Sequence, residues 1–231
     1  MSAATPFEAR PAGGAGVDGP RDDAAAGRRL DRAEEIVRHE WRQFQVVANE
    51  GGRANCQDDW PTFHQMRISQ FLTWPQRLLD SYARDLDEAD ALGRNLLTEK
   101  YGRMMASAEP ERYARDIESH LPRLSTARVA VQERIIAAQV AWARDFRSRY
   151  PRLGDAMRLL TSDQDTVADT SFETYLRGEL GTYSPRTLRL YEDLVDRLAA
   201  AGENLTELTL LTTVRLAGHA GLAEAEAAQR D

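Results

Sequence analysis

The sequence predicts an all-α fold, a single irregular helical bundle of about seven to nine helices with one long helix. Three observations carry that prediction. Apolar residues recur with the 3.6-residue period across residues 28–220, no run of alternating β-branched residues interrupts them, and Pro, Gly, Ser and Asn punctuate the chain at helix-length intervals. The 231 residues are 42% hydrophobic and 29% charged, enough apolar material for one core.

Taken in order, residues 1–27 are rich in Ala, Gly, Pro and Asp and read as a disordered tail with little to bury. A first helix runs from about Arg28 to Ala48 and stops before Gly51-Gly52. A loop from Arg53 to Pro61 leads to a short helix carrying Met66 and Phe71. Pro75 suits the first turn of the long helix, which continues to Met105, and Pro110 opens another short one. Ser125 caps a helix ending at Tyr150-Pro151. A polar loop, Ser162 to Asp169, precedes a short helix from Ser171 to Leu180. Ser184-Pro185 starts a helix that stops at Gly202, and Asn204 starts the last, to Leu216. Residues 221–231, rich in Ala and Glu, read as a frayed end.

The totals narrow the function. A net charge of −7 argues against a nucleic-acid grip, which needs a clustered basic face. No apolar run approaches the roughly 20 residues of a membrane-spanning helix, and no secretory signal pattern opens the chain. A single cysteine, Cys56, allows neither a disulfide framework nor a cysteine zinc site. The expectation is a cytoplasmic protein without nucleic-acid or membrane partners.

At about 100° per residue, each helix can be assigned an apolar stripe. The first helix places Leu30, Ala33, Ile36, Val37, Trp41, Phe44 and Val47 on one face, with Glu40 inside that arc. In the long helix Leu78, Leu79, Tyr82, Leu86, Ala89, Leu96 and Leu97 flank Lys100, the only lysine. Gln139 sits among Ile135, Ile136, Val140, Ala143 and Phe146, and Glu179 among Phe172, Tyr175, Leu176 and Leu180. Four helices thus each aim one polar side chain at the core. A buried unpaired charge costs several kcal/mol, so these groups pair with one another or meet a ligand. Lys100 with Glu179 or Glu40 is the expected pairing. The competing reading is an internal ion-pair network that only sets helix register.

The loop Asn49–Asp59 is dense in hydrogen-bonding groups, and as a ligand loop it would work through Arg53, Asp58 and Asp59, beside Asn55 and Gln57. Arg67 and Gln70 lie three apart; Asn95, Glu99 and Arg103 lie four apart along one flank of the long helix, and Glu173 and Arg177 have the same spacing on the Ser171–Leu180 helix. Cys56 reads as a small packed side chain and His39 as outward-facing. No Glu-x-x-His motif for a di-iron bundle exists. A Mg²⁺ or Mn²⁺ on Asp58, Asp59 and Glu179 is a minor alternative to the expectation of no metal and no cofactor.

Four strings give a resemblance: Gly51–Asp59 (GGRANCQDD), Met66–Phe71 (MRISQF), Gly93–Met105 (GRNLLTEKYGRMM) and Glu173–Leu180 (ETYLRGEL). Over about residues 30–215 the chain resembles a bacterial family classed only as a domain of unknown function, number four-one-two-five in its series. The resemblance implies a helical fold and no established reaction. Asn55 and Gly102 depart from its pattern, where serine and alanine are expected.

The resulting expectation is a small-molecule enzyme of biosynthesis with a carboxylate-, lysine- and arginine-lined pocket. It would perform elimination or displacement of sulfate or phosphate on an anionic amine-type metabolite. Lys100, Glu179, Asp58 and Glu40 are the catalytic candidates, with Glu179 or Asp58 as base. Arg53, Arg67, Arg103 and Arg177 would hold the anion, and Asn55, Gln57, Asp59, Gln70, Asn95, Glu99, Gln139 and Tyr175 would complete the binding set. The alternative is a non-catalytic metabolite-binding module, or a subunit docking on a partner enzyme or a second copy.

Overall fold

The computed structural model describes residues 20–48 and 52–229. Among them the regular elements are helical throughout: α1 (Pro20–Gln45), α2 (Trp60–Phe71), α3 (Gln76–Ala91), α4 (Leu96–Ala108), the single turn α5 (Pro110–Arg112), α6 (Thr126–Arg149), α7 (Pro151–Asp155), α8 (Phe172–Leu180), α9 (Pro185–Ala201), α10 (Leu205–Leu216) and α11 (Leu222–Ala228). The starts follow the predicted chemistry. The side chains of Ser125, Ser171, Ser184 and Asn204 each accept a hydrogen bond from the backbone N–H three residues on.

The single long helix over residues 75–105 is corrected to two helices. Gly93 adopts φ +67°, and the Arg94 N–H returns to the Ala89 carbonyl at 2.9 Å, closing α3 with a left-handed glycine cap. Asn95 then caps α4, accepting from Thr98 N at 2.8 Å while its amide donates to the Gln43 carbonyl of α1 at 2.8 Å. The longest helices are α1 and α6, of 26 and 24 residues. That break, the extra turn α7 and the terminal α11 raise the helix number above seven to nine.

Both ends differ from the expected boundaries. The part of the predicted tail before residue 20 lies outside the described residues, but α1 already starts at Pro20. At the other end α11 buries Leu222 and Ala225 against Phe146, Leu153 and Val214, so residues 222–228 dock rather than fray. Its start is fixed by a carboxylate: Glu224 accepts from Ala220 N at 2.6 Å.

The main core gathers the apolar faces of α1, α2, α3, α6, α8 and α9 around Phe71, Trp74, Tyr82, Tyr183 and Tyr191. These rings meet largely edge to face, with Trp74 at 5.4 Å from Tyr191 and 5.0 Å from Phe71. The predicted stripes hold except at Leu30, which is 45% exposed. No described helix is long and apolar enough to cross a membrane.

Candidate functional site

The site begins with a close approach of two helices. α8 lies so tightly on α4 that a Cβ added at Gly178 would fall 2.8 Å from the Lys100 carbonyl oxygen and 2.8 Å from Met104 Cγ. Glycine at this position lets the two backbones touch, and the residue that follows it, Glu179, then faces Lys100. The Lys100 ammonium donates to Glu179 Oε2 at 2.7 Å, with both side chains 3% exposed.

Arg67, arriving from α2, joins this pair to α1. Its Nε and Nη2 each donate to one oxygen of Glu40 at 2.6 Å, a fork-to-fork pair, while Nη1 donates to Glu179 Oε2 at 3.1 Å and to Gln70 Oε1 at 2.6 Å. Gln70 donates its amide to Glu179 Oε1 at 2.8 Å. Two tyrosine hydroxyls complete the set: Tyr82 donates to Glu40 Oε1 at 2.7 Å, and Tyr183 to Glu179 Oε1 at 2.9 Å. Two cations and two carboxylates from four helices are thereby buried with every carboxylate oxygen bonded, the condition under which buried charge is tolerated.

The electrostatics follow from that geometry. Burial pushes the Glu179 carboxyl up, but Arg67 and Lys100 outweigh it and hold it well below the usual carboxylate range. Burial lowers Arg67, and Glu179 with Glu40 more than reverses this, so it stays charged. Tyr82 and Tyr183 are raised, first by burial and then by the neighbouring carboxylates, and remain donors.

Tyr175 is the exception among the tyrosines. Lys100 Nζ lies over its ring at 3.5 Å from the centroid, and the Arg158 guanidinium stacks on it at 4.7 Å. Burial would raise its phenol, yet Lys100 and then Arg67 turn the net shift downward. Tyr175 is partly exposed. Here the internal charges reach the surface. Tyr101 stands nearby, raised by burial and by the charges of Tyr175 and Cys56.

The structure gathers Glu40, Arg67, Gln70, Lys100, Tyr175 and Glu179 from the predicted set. The others lie elsewhere, most with partners of their own. Arg53 pairs with exposed Asp58 at 2.8 Å and clamps the Gln57 carbonyl, which ties the loop to itself. Gln57 is buried and donates to the Phe44 and Val47 carbonyls. Asp59 is the cap of α2, accepting from Thr62 N, and Asn55 is exposed. Asn95 caps α4 and Glu99 pairs with Arg94 at 2.7 Å instead of Arg103. Arg103 donates to the Pro122 carbonyl. Gln139 donates to the Tyr191 hydroxyl at 3.0 Å. Arg177 is held by Glu133 and Glu173, the second being the expected i,i+4 pair. Asp58 and Asp59 are not brought to Glu179, and among the described residues no group of three or more His, Cys, Asp or Glu is placed to hold a metal.

Two single-residue expectations are overturned. Cys56 is exposed, on a short 3₁₀ turn whose buried residue is Gln57. His39 faces α3 and meets Asp90 at 2.7 Å, because that carboxylate lies at the end of α3 alongside it. Sequence reasoning also missed Tyr82, Tyr183 and Arg158. The first was counted as apolar, although its hydroxyl had to be satisfied once buried; Tyr183 is four residues past Glu179. Arg158 lies between helices and gave no signal. Two surface clefts, about 310 Å³ between α1 and α3 and about 520 Å³ between α3 and α9, are lined by other residues.

These features define an all-helical protein built round a buried, charge-balanced network with one aromatic outlet. A family model described as Protein of unknown function (DUF4125) matches residues 31–227, and the chain belongs to that family. No curated protein and no solved structure matches it.

Proposed function

We propose that this protein is a small-molecule enzyme acting at the Tyr175 outlet on an anionic, amine-type metabolite that carries a sulfate or phosphate leaving group. The observation that carries this reading is the stack Arg158–Tyr175–Lys100–Glu179, which sets a tyrosine of lowered pKa between a surface cation and a buried ion pair.

Glu179 is a poor base, since both its oxygens are fully used and its carboxyl is held ionised. Asp58 is exposed and paired with Arg53. Tyr175 takes the proton-transfer role instead. It accepts a proton from the substrate's amine or from a carbon beside it. The electron pair released forms the new bond, in elimination or intramolecular displacement, and the leaving group departs with its bonding pair. Arg158 has no ion-pair partner among the described residues and meets the anion. Lys100 holds Tyr175 acidic, and Glu179, Arg67 and Glu40 fix Lys100.

The test is release of sulfate or phosphate from a panel of sulfated and phosphorylated amines. Turnover in the parent, abolished in Tyr175→Phe with an unchanged melting temperature, is the expected result. Absence of turnover across the panel by a folded protein defeats the reading. The non-catalytic alternative is favoured by one observation, the complete saturation of Glu40 and Glu179. It is recognised by ligand-dependent thermal stabilisation without product.

A further inference from the structure

α3 and α9 run antiparallel, as their cross-links show: Ser81 Oγ meets Thr187 Oγ1 at 2.7 Å, and farther along α3, Asp85 accepts from Ser184 N at 2.9 Å. Above this seam lies the cleft of about 520 Å³. Arg77 and Arg84 enter it from α3, two turns apart, and Arg186 and Arg189 from α9. Three features of this cleft point one way.

The first is a built floor. Ser81, Asp85 and Thr187 are buried polar residues; Ser81 and Asp85 hold Arg186, and Thr187 holds Ser81. Its Nε donates to Ser81 Oγ at 2.8 Å, and its Nη2 donates to Asp85 Oδ1 at 3.1 Å and the Ser81 carbonyl at 3.3 Å. Arg186 Nη1 has no partner among the described residues, so a guanidinium is fixed in place with donors to spare.

The second is unbalanced charge. Arg77, Arg84 and Arg189 form no ion pair among the described residues. Two of the three carboxylates at the rim are already engaged, Asp80 by Arg32 and Gln76 at 3.0 Å and Glu192 by Arg134. Arg186 already has Asp85 as its counter-charge and Asp193 stands at the rim, so in a chain of net charge −7 the three unpaired guanidiniums leave a local excess of positive charge that calls for a counterion.

The third is the absence of aromatic surface. Leu190 is the one apolar residue of the lining, so the lining offers a nucleobase no aromatic ring to stack on. A single small anion engages one or two guanidiniums; four are matched by a chain of tetrahedral oxyanions, each presenting paired oxygens to a planar fork.

We infer that the α3–α9 cleft binds a small molecule through two or more linked phosphates, with Arg186 as the fixed anchor and Arg77, Arg84 and Arg189 closing on the chain from both helices. This site is separate from the Tyr175 outlet and stands whether or not the enzymatic reading does.

The experiment is calorimetric titration of the full chain with phosphate, pyrophosphate and tripolyphosphate, at ionic strength held constant with sodium chloride. One saturable site is expected, tightening from phosphate to tripolyphosphate. Arg84→Glu/Arg189→Glu, two exposed changes, should weaken tripolyphosphate at least tenfold with an unchanged circular dichroism spectrum and melting temperature. Arg38→Glu/Arg42→Glu, at the other cleft, alters net charge equally and should leave affinity within twofold. No saturable binding, an α3–α9 variant that binds normally, or equal loss in both variants overturns the inference. The last outcome would mean that only overall charge is read.

Discussion

Lys100 and Glu179 are joined twice: their side chains form a 2.7 Å ion pair, and the residue preceding Glu179, Gly178, rests on the Lys100 carbonyl. The second contact makes the first possible. A β-carbon at 178 meets a helix backbone oxygen, which cannot swing aside as a flexible side chain can. Gly178→Ala should therefore push α8 off α4 and destabilise the fold by about 1–3 kcal/mol, despite alanine's higher helix propensity. Chemical denaturation measures this, and an unchanged midpoint would show that the helices have slack.

Glu179→Gln removes one charge from a balanced set and leaves Arg67 and Lys100 facing Glu40 alone. The expected cost near pH 7 is about 3–5 kcal/mol, the usual consequence of breaking a buried pair. Its pH dependence has a definite sign. The Glu179 carboxyl is lowered on folding, so its ionisation stabilises the fold above about pH 4.5, its ordinary value. That contribution is lost as pH falls towards the lower folded value. The gap between parent and variant should be full at pH 7 and narrow below pH 4.5, as urea titrations at several pH values will show.

Lys100→Met should cost less, roughly 1.5–3 kcal/mol for one charged hydrogen bond, because Glu179 keeps Arg67, Gln70 and Tyr183 as donors. Combined with Glu179→Gln, the two losses should fall short of their sum by about 0.5–3 kcal/mol, as residues in one network do. A melting temperature raised by Lys100→Met alone would mean that the lysine costs stability and is kept for chemistry.

Under the proposed function, the pH–rate profile should carry an ascending limb for Tyr175 that inflects below the ordinary tyrosine value of about 10. The lowering is due first to Lys100 among the favourable charges. Lys100→Met should then move the inflection upward in pH, whereas a merely structural lysine would scale the rate without moving it.

Helix periodicity placed Glu40, Lys100 and Glu179 in the core correctly, because a buried charge stands out against an apolar stripe. Lys100 kept its place even though Gly93 ends one helix and Asn95 restarts another. The fourth charge, Arg67, was legible as an anion-holding candidate three before Gln70 but not as a core residue, since α2 has little amphipathic contrast to show which way it faces. Cross-helix partners such as His39 with Asp90, or Arg158 over Tyr175, depend on how helices are set against one another. Spacing within a helix carries no record of that.

Because the charges come from α1, α2, α4 and α8, none of these helices can leave alone without stranding an ion in the interior. Slow amide exchange with solvent should accordingly report one opening event shared by all four, at close to the global unfolding free energy. The Phe146–Leu153–Leu222 corner contributes nothing to the network, so α11 is free to open and close on a faster clock of its own.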